Sequence, residues 1–188
     1  MNSRLHHYFE VIADKIEQFI ECTGRSISWL VLIMVLVTFS VVILRYVFDA
    51  GWIALQESIS YFHSIVFLLG AAYTLKHNAH VRVDIFYTRL SKKAKAWVDL
   101  TGHILILMPV MIFIIWVSTP YILDSWQVTE SSREAGGLPG VYLLKSLILV
   151  MAGLLILQGL AMILKAVLTI SGHIDSQSSQ NPLKVDTH

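Results

Sequence analysis

The side chains of this sequence that could do chemistry are charged or imidazole groups that stand singly in long apolar runs. Arg45 ends the first run and Glu57 opens the second, with a short turn between them. Charge inside an apolar medium is costly, so each such residue is a functional hypothesis. We expect Arg45 and Glu57 to lie at similar depth and to form an ion pair. Independent extension of each side chain to a polar boundary is the alternative.

A third charged group, Lys145, lies about two helical turns beyond Pro139 in the fourth apolar run. Its long side chain can extend outward to a polar surface. A partner such as Glu57 or Asp124 is the alternative, and the sequence leaves both open.

Two histidines, His63 and His103, lie within apolar runs, where imidazole can ligate haem. If the runs are antiparallel helices, the depths of the two side chains differ by several ångström at ~1.5 Å per residue. Axial ligands of one haem should lie nearly level. Hydrogen-bonded contacts between helices are therefore the favoured role for both histidines.

Other catalytic patterns are absent from the sequence. It contains no acyl-transfer triad, phosphate-binding loop or zinc motif, and its one cysteine, Cys22, is expected to pack as a small apolar group. The formal charge of +1 does not indicate nucleic-acid binding, because the charges are segregated along the chain. We therefore expect a protein that is not an enzyme and that carries no cofactor.

The composition indicates an all-α integral membrane protein. Of the 188 residues, 55% are hydrophobic and only 14% are charged, and the mean hydropathy is +0.65. A soluble domain needs more polar surface. Four apolar runs each exceed the ~20 residues that cross a bilayer as a helix. The predicted spans are 26–48, 53–75, 96–123 and 138–170.

The segments on either side of this 26–170 membrane domain differ from it. Residues 1–25 have apolar groups at helical spacing and predict an amphipathic helix along the membrane surface before the first span. The acidity of this segment is unusual for a lipid-surface helix, which leaves open a protein partner. The polar tail, 171–188, is predicted to be disordered.

The distribution of Lys and Arg predicts the orientation. With four crossings, the two termini and the loop between the second and third spans share one side, which carries eleven of the fourteen Lys and Arg residues. The positive-inside rule then places both termini in the cytoplasm. Trp52, in the turn on the other side, is a candidate interfacial anchor.

Small residues and a proline predict details of helix packing. Gly70, Ala71 and Ala72 permit close helix approach, as do Gly153 and Gly159. Pro109 should kink the third span.

One segment resembles a known family. It contains Arg45-Tyr46-Val47-Phe48, Trp52, Glu57, Tyr61, Gly70-Ala71-Ala72 and His80-Val81-Arg82-Val83-Asp84. This pattern resembles the small, DctQ-like membrane subunit of tripartite ATP-independent periplasmic (TRAP) transporters. Four spans with both ends inside and a length below 200 residues are also similar to that family.

The resemblance implies a role and partners. The partners are a large elevator-type membrane subunit, which carries substrate and sodium, a periplasmic solute-binding protein and the lipid bilayer. The small subunit would anchor and extend the large subunit's scaffold during sodium-coupled uptake of a small organic acid. The structural or subunit-interface candidates are Arg45, Trp52, Glu57, Gly70, Ala71, Ala72, His80, Arg82 and Asp84 from this segment, and Lys145 from its charge in the fourth apolar run. Candidates for contact with the binding protein are Glu130, Arg133 and Glu134.

Two other functions remain as alternatives. One is a haem- or quinone-associated membrane anchor of a respiratory enzyme. The other is a small autonomous exporter, which would need a membrane-embedded acid. Glu57 lies too near one end of its span to suit that role well.

Overall fold

The structure is a computed structural model that describes residues 3–79, 87 and 89–171. Within these residues it is all helical, without strands. The elements are α1 (Ser3–Val47), α2 (Ile53–Lys76), α3 (Lys92–Gly102), a π-helical segment (His103–Leu107), α4 (Met108–Gln127) and α5 (Val141–Ile170). Apart from Ser171, the predicted tail, 171–188, lies outside the described residues.

Four helical stretches are long and apolar enough to cross a membrane, as the sequence predicted. They are His6–Val47, Ile53–Lys76, Lys92–Gln127 and Val141–Ile170. The third combines α3, the π-helical segment and α4. The first stretch is longer than its predicted span because helical structure continues into the polar sequence before residue 26. The third extends four residues beyond its predicted span at each end.

The first helix differs most from the prediction. The sequence indicated an amphipathic segment, 1–25, that turns before the first span, but α1 runs without interruption from Ser3 to Val47. At ~1.5 Å per residue its 45 residues extend about 67 Å, roughly twice the hydrocarbon thickness of a bilayer. No proline interrupts this helix, so the backbone hydrogen bonding continues past the predicted turn. Surface placement of residues 1–25 remains a prediction.

The amino-terminal half of α1 packs through a seven-residue repeat. His6, Ala13, Ile20 and Ile27 are buried at successive heptad positions. Phe19, which is also apolar, is 54% exposed. A strict heptad follows a neighbouring helix in left-handed packing. The buried stripe of α1 is therefore narrower than its apolar face.

The third span contains the distortion expected near Pro109. The π-helical segment ends just before this proline, and the amide of Met108 donates to the carbonyl of His103, five residues earlier. Proline has no amide hydrogen and its ring crowds the preceding turn, so one extra residue per turn relieves the clash. The predicted kink site is thus a π-helical turn.

The last helix, α5, forms the centre of the bundle and contacts each of the other helices. Ala152, Leu154 and Leu155 of α5 form a buried apolar core with Ile20 of α1 and Met111 of α4. Small residues continue along α5 at Gly159, Ala161 and Ala166. Lipid gives apolar helices no hydrophobic reason to associate, so close packing of this kind holds them together.

Two helices end in the same way. Asn78 after α2 and Thr129 after α4 have positive φ angles of 52° and 44°. In each case a later amide bonds back to the last turn: Ala79 to the carbonyl of Thr74 and Glu130 to that of Ser125, both at 3.0 Å. These bonds satisfy carbonyls that the helix itself leaves unpaired.

Close helix approach occurs at Gly159, as expected, and at Gly24, which the sequence did not single out. A Cβ on Gly24 would lie 2.2 Å from Cδ2 of Tyr73, which places α1 directly against α2. A Cβ on Gly159 would lie 2.7 Å from Cδ2 of Leu107. At Gly70 and Gly153 a Cβ would meet open space. Within this chain, Gly24 and Gly159 therefore permit the close contacts.

Replacing Gly24 tests the contact between α1 and α2. Gly24→Ala should lower the free energy of unfolding by about 1–3 kcal/mol, because the added methyl group overlaps the ring of Tyr73. Gly70→Ala is the matched control. It should be neutral or stabilising by up to ~1 kcal/mol, because alanine favours helix and the site is open. Thermal unfolding in detergent by circular dichroism measures both, and equal midpoints for the two variants would contradict the contact.

Candidate functional site: polar clusters at the two ends of the bundle

Charged residues gather at the two ends of the helical bundle. The end that carries the turn 48–52 and the loop 128–140 is called the loop end. The opposite end, which carries Lys76 of α2 and Lys165 of α5, is called the lysine end.

At the loop end, Glu57 of α2 holds the loop 128–140 against the bundle. One carboxylate oxygen of Glu57 accepts a short hydrogen bond from the hydroxyl of Ser132, and the other accepts from the amide of Leu138 at 2.7 Å. A Cβ on Gly137 would lie 2.7 Å from the same carboxylate, so the loop passes very near it. Charge-assisted bonds of this kind are stronger than those between neutral groups.

The ion pair expected between Arg45 and Glu57 is not formed. Glu57 uses both oxygens on the loop 128–140. Arg45 is exposed and, within the described part of the chain, makes no ion pair. The two residues lie at the same end of the bundle, as predicted, but the longer loop supplies closer partners for the carboxylate.

Lys145 pairs with Glu130 rather than with Glu57 or Asp124. Its ammonium donates a short hydrogen bond to Glu130 and lies 4.0 Å from the centre of the Tyr121 ring. The hydroxyl of Ser125 donates to the same carboxylate at 2.6 Å. The hydrogen bond from Lys145, followed by that from Ser125, lowers the pKa of Glu130 below its ordinary value of 4.5. Glu130 is therefore ionised at neutral pH.

Further contacts join α4 to α5 and the loop to α5. The indole nitrogen of Trp126 donates to the hydroxyl of Ser146 at 2.8 Å, and its ring packs edge-on against Tyr142 at 4.6 Å between centroids. The amide of Val141, the first residue of α5, donates to the carbonyl of Glu130 at 3.1 Å. The loop 128–140 is thus a folded cap on this end of the bundle.

The three candidates for contact with the binding protein occupy different settings in this cap. Glu130 is engaged inside the chain by Lys145 and Ser125. Arg133 and Glu134 are exposed on the outer surface of the loop. A contact with another protein remains a prediction for all three, and the last two are the ones that a partner could reach without breaking an internal ion pair.

At the lysine end, the acidic residues of α1 pair with lysines of this same chain. Glu21 accepts from Lys76 at 2.6 Å and from the imidazole of His77 at 2.9 Å. Lys165 donates to Glu17 at 2.6 Å and lies 3.3 Å from Asp14. These pairs join α1 to α2 and to α5. Asp14, Glu17 and Glu21 therefore have partners within the chain, so the acidity of this segment does not by itself require a separate protein partner.

The motif that follows α2 cannot be placed. His80, Arg82 and Asp84 lie outside the described residues, so their predicted role in fixing this loop remains a prediction. Beside the motif, the hydroxyl of Tyr87 donates to Asp99 of α3 at 2.7 Å.

The other interface candidates, Gly70, Ala71, Ala72 and Trp52, differ in how deeply they are buried. Ala72 is 1% exposed and belongs to the apolar core, whereas Gly70 and Ala71 are only partly buried. Trp52 is 65% exposed at the start of α2, where an interfacial anchor would lie.

The two histidines considered as haem ligands have separate surroundings. His63 is exposed, and its ring stacks on Phe67 with 6.1 Å between centroids. His103 is buried in the π-helical segment, with its Nδ1 bonded to the carbonyl of Asp99. Each of these contacts is with a neighbour four residues away in the chain, and not with another helix as the sequence favoured.

Sequence reasoning missed the residues that complete both clusters. Ser132 and the amide of Leu138 gave no signal, because a loop hydroxyl or amide can meet a carboxylate only once the loop is folded. Glu17 and Glu21 did give a signal: they lie four residues apart on α1, at the same side of the predicted membrane as Lys76 and Lys165.

Removing the Glu57 carboxylate tests whether it holds the loop. In Glu57→Ala, the hydroxyl of Ser132 and the amide of Leu138 lose their acceptor. We expect faster hydrogen exchange over 130–140, measured by mass spectrometry, with unchanged exchange in α5. Glu134→Ala is the matched control, because it removes an exposed carboxylate of the same loop. Unchanged exchange in Glu57→Ala would contradict this role.

Comparison with known proteins identifies the family of the chain. The family model described as "Tripartite ATP-independent periplasmic transporters, DctQ component" matches residues 34–169, well over half of the chain. No curated protein and no solved structure matches it. Together with four membrane-spanning helices, this family indicates a multi-pass inner-membrane protein. The chain belongs to the DctQ component family of the tripartite ATP-independent periplasmic transporters, as a small permease subunit and not an enzyme.

Proposed function

We propose that this small subunit anchors and widens the scaffold of a large elevator-type membrane subunit. The complete transporter takes up a small organic acid, delivered by a periplasmic binding protein, with sodium coupling in the large subunit. The chain itself carries no cofactor. The family assignment gives no support to a haem- or quinone-associated anchor.

The apolar filling of the bundle supports a structural role. Ala72, Met111, Ala152 and Leu155 pack together at its core. Most charged groups of the described residues lie at the two ends and are engaged in ion pairs or hydrogen bonds there. A solute path would need polar groups near the membrane midplane. A rigid, closed block of this kind suits a part that stays still while a neighbour moves.

Arg45, which has no partner among the described residues, is the observation that favours α1 as the docking face. It lies at the loop end of α1, and Val31, Val35 and Val42, on the same side of the helix, are 40–55% exposed. Lipid can cover these side chains, but the guanidinium gains a carboxylate or carbonyl partner only from another protein or a headgroup.

The orientation follows from the positive-inside rule. The lysine end faces the cytoplasm and the loop end faces the periplasm, where the binding protein would approach Arg133 and Glu134. This orientation also puts the ion pairs of Glu17 and Glu21 at the cytoplasmic surface.

Reconstitution tests the proposed function. Vesicles that contain this chain and the large subunit encoded beside it should take up an organic acid when the binding protein and an inward sodium gradient are supplied. Vesicles with this chain alone should take up none. Uptake by this chain alone would overturn the proposal, and so would a Soret band in the absorbance of the purified chain.

Co-purification tests the docking face. Arg45→Ala should reduce recovery of the large subunit with this chain, because Arg45 has no partner of its own among the described residues. Arg133→Ala removes an equal charge from the exposed outer loop and should leave recovery unchanged. Equal recovery for both variants would place the interface elsewhere.

The single cysteine tests the orientation without engineering. Cys22 is exposed and lines a polar surface pocket at the lysine end with Glu21, Arg25 and Lys76. A membrane-impermeant maleimide should label it in inside-out vesicles but not in intact spheroplasts. The reverse pattern would place the lysine end in the periplasm.

A further inference from the structure

A second polar cavity lies at the lysine end, among α1, α2, α3 and α5. Its volume is about 470 Å³, within the range of ~300–1,000 Å³ that is usual for small-molecule sites. Its charged lining residues are Glu17, Lys76, Lys92, Lys95, Asp99 and Lys165. Ala96, Met162 and Ala166 supply apolar surface, and Gln158 lies farther along α5 towards the centre of the bundle.

The cavity is positively charged at its rim. Four lysines face two carboxylates, which gives the lining a formal charge of +2. Lys76 and Lys165 are ion-paired with Glu21 and Glu17, which reduces their share of the field. Lys92 and Lys95 belong to the first turn of α3, which contains no acidic residue. The amide groups of that turn add further positive charge, so an anion is stabilised there.

The side-chain amide of Gln158 is an independent observation that indicates a ligand site. Its side chain is fully buried, yet neither its amide nitrogen nor its amide oxygen has a hydrogen-bond partner within the described residues. A buried amide without a partner is unfavourable, and such groups in proteins usually meet a ligand or water. Gln158 precedes Lys165 by seven residues, about 10 Å along the helix axis.

We propose that this cavity binds an anionic phospholipid. The phosphate lies at Lys95 and the first turn of α3, and a glycerol-ester carbonyl accepts a hydrogen bond from Gln158. The part of the lipid between the phosphate and the ester carbonyl passes Met162, and the acyl chains extend from the glycerol away from the lysine end. An inorganic phosphate could occupy the rim but could not also reach Gln158, whereas a phospholipid has polar groups at both depths. This binding is separate from the proposed function, because it needs neither the large subunit nor a solute.

Native mass spectrometry of the full-length chain tests the proposal. Phosphatidylglycerol should be retained in preference to phosphatidylcholine with the same acyl chains. Lys95→Gln should weaken phosphatidylglycerol binding roughly fivefold, the effect expected for one lysine near an anionic headgroup. Lys93→Gln is the matched control: it removes the same charge from the same turn, at an exposed position that does not line the cavity.

A second variant keeps the test independent of charge. Gln158→Leu should reduce retention of both lipids, because it removes the donor to the ester carbonyl and leaves the lysines in place. Equal retention of the two lipids by the wild type would show no preference for an anionic headgroup. An equal loss in Lys93→Gln and Lys95→Gln would show an effect of general surface charge. Either result would overturn the proposal. Saturation by millimolar inorganic phosphate that displaces the lipid would show a free-phosphate site and overturn the lipid assignment.

Discussion

The packing of every other helix against α5 is the constraint on which the bundle depends. Lipid solvates an apolar helix as well as another helix does, so contact has to come from close fit. Small residues on α5 supply that fit: Ala152 and Ala161 are fully buried, and Gly159 admits Leu107 from the π-helical segment. The π-helical turn near Pro109 and the contact at Gly159 therefore belong to one arrangement, since the distorted turn carries Leu107 to α5.

Polar contacts at the two ends then fix the sliding and rotation of the helices, which apolar packing leaves free. Apolar helices can slide or rotate against one another with little change in buried area, but an ion pair has one register. Glu17 with Lys165 and Glu21 with Lys76 set the position of α1 at the lysine end. Glu57 sets the loop 128–140 against α2 at the loop end. The family role of a small permease subunit is consistent with a block whose internal geometry is fixed at both faces.

The sequence predicted those features that depend on composition and local pattern. Four spans follow from apolar length, and the distortion near Pro109 follows from the missing amide hydrogen. The resemblance carried by residues 45–84 led to the family.

Tertiary partners could not be predicted in the same way. Arg45 and Glu57 are close in sequence and at the same end of the bundle, but Glu57 bonds to a loop some 75 residues later. Lys145 likewise pairs with Glu130, a loop residue whose position beside α5 depends on how the loop folds. The unbroken α1 escaped prediction because the change from polar to apolar sequence near residue 25 resembles a boundary, although it alters only the surroundings of the helix.

That unbroken helix has a mechanical consequence. A helix bends sharply only at a proline, a glycine pair or a π-bulge, and α1 has none of these over its 45 residues. The buried heptad from His6 to Ile27 holds the amino-terminal half of α1 against the bundle, and the rest of the helix extends from this contact as a stiff rod. A small rotation about that contact moves the far end of α1, with Tyr46, through a larger arc. Force on one end of α1 is therefore carried to the other end by the helix itself.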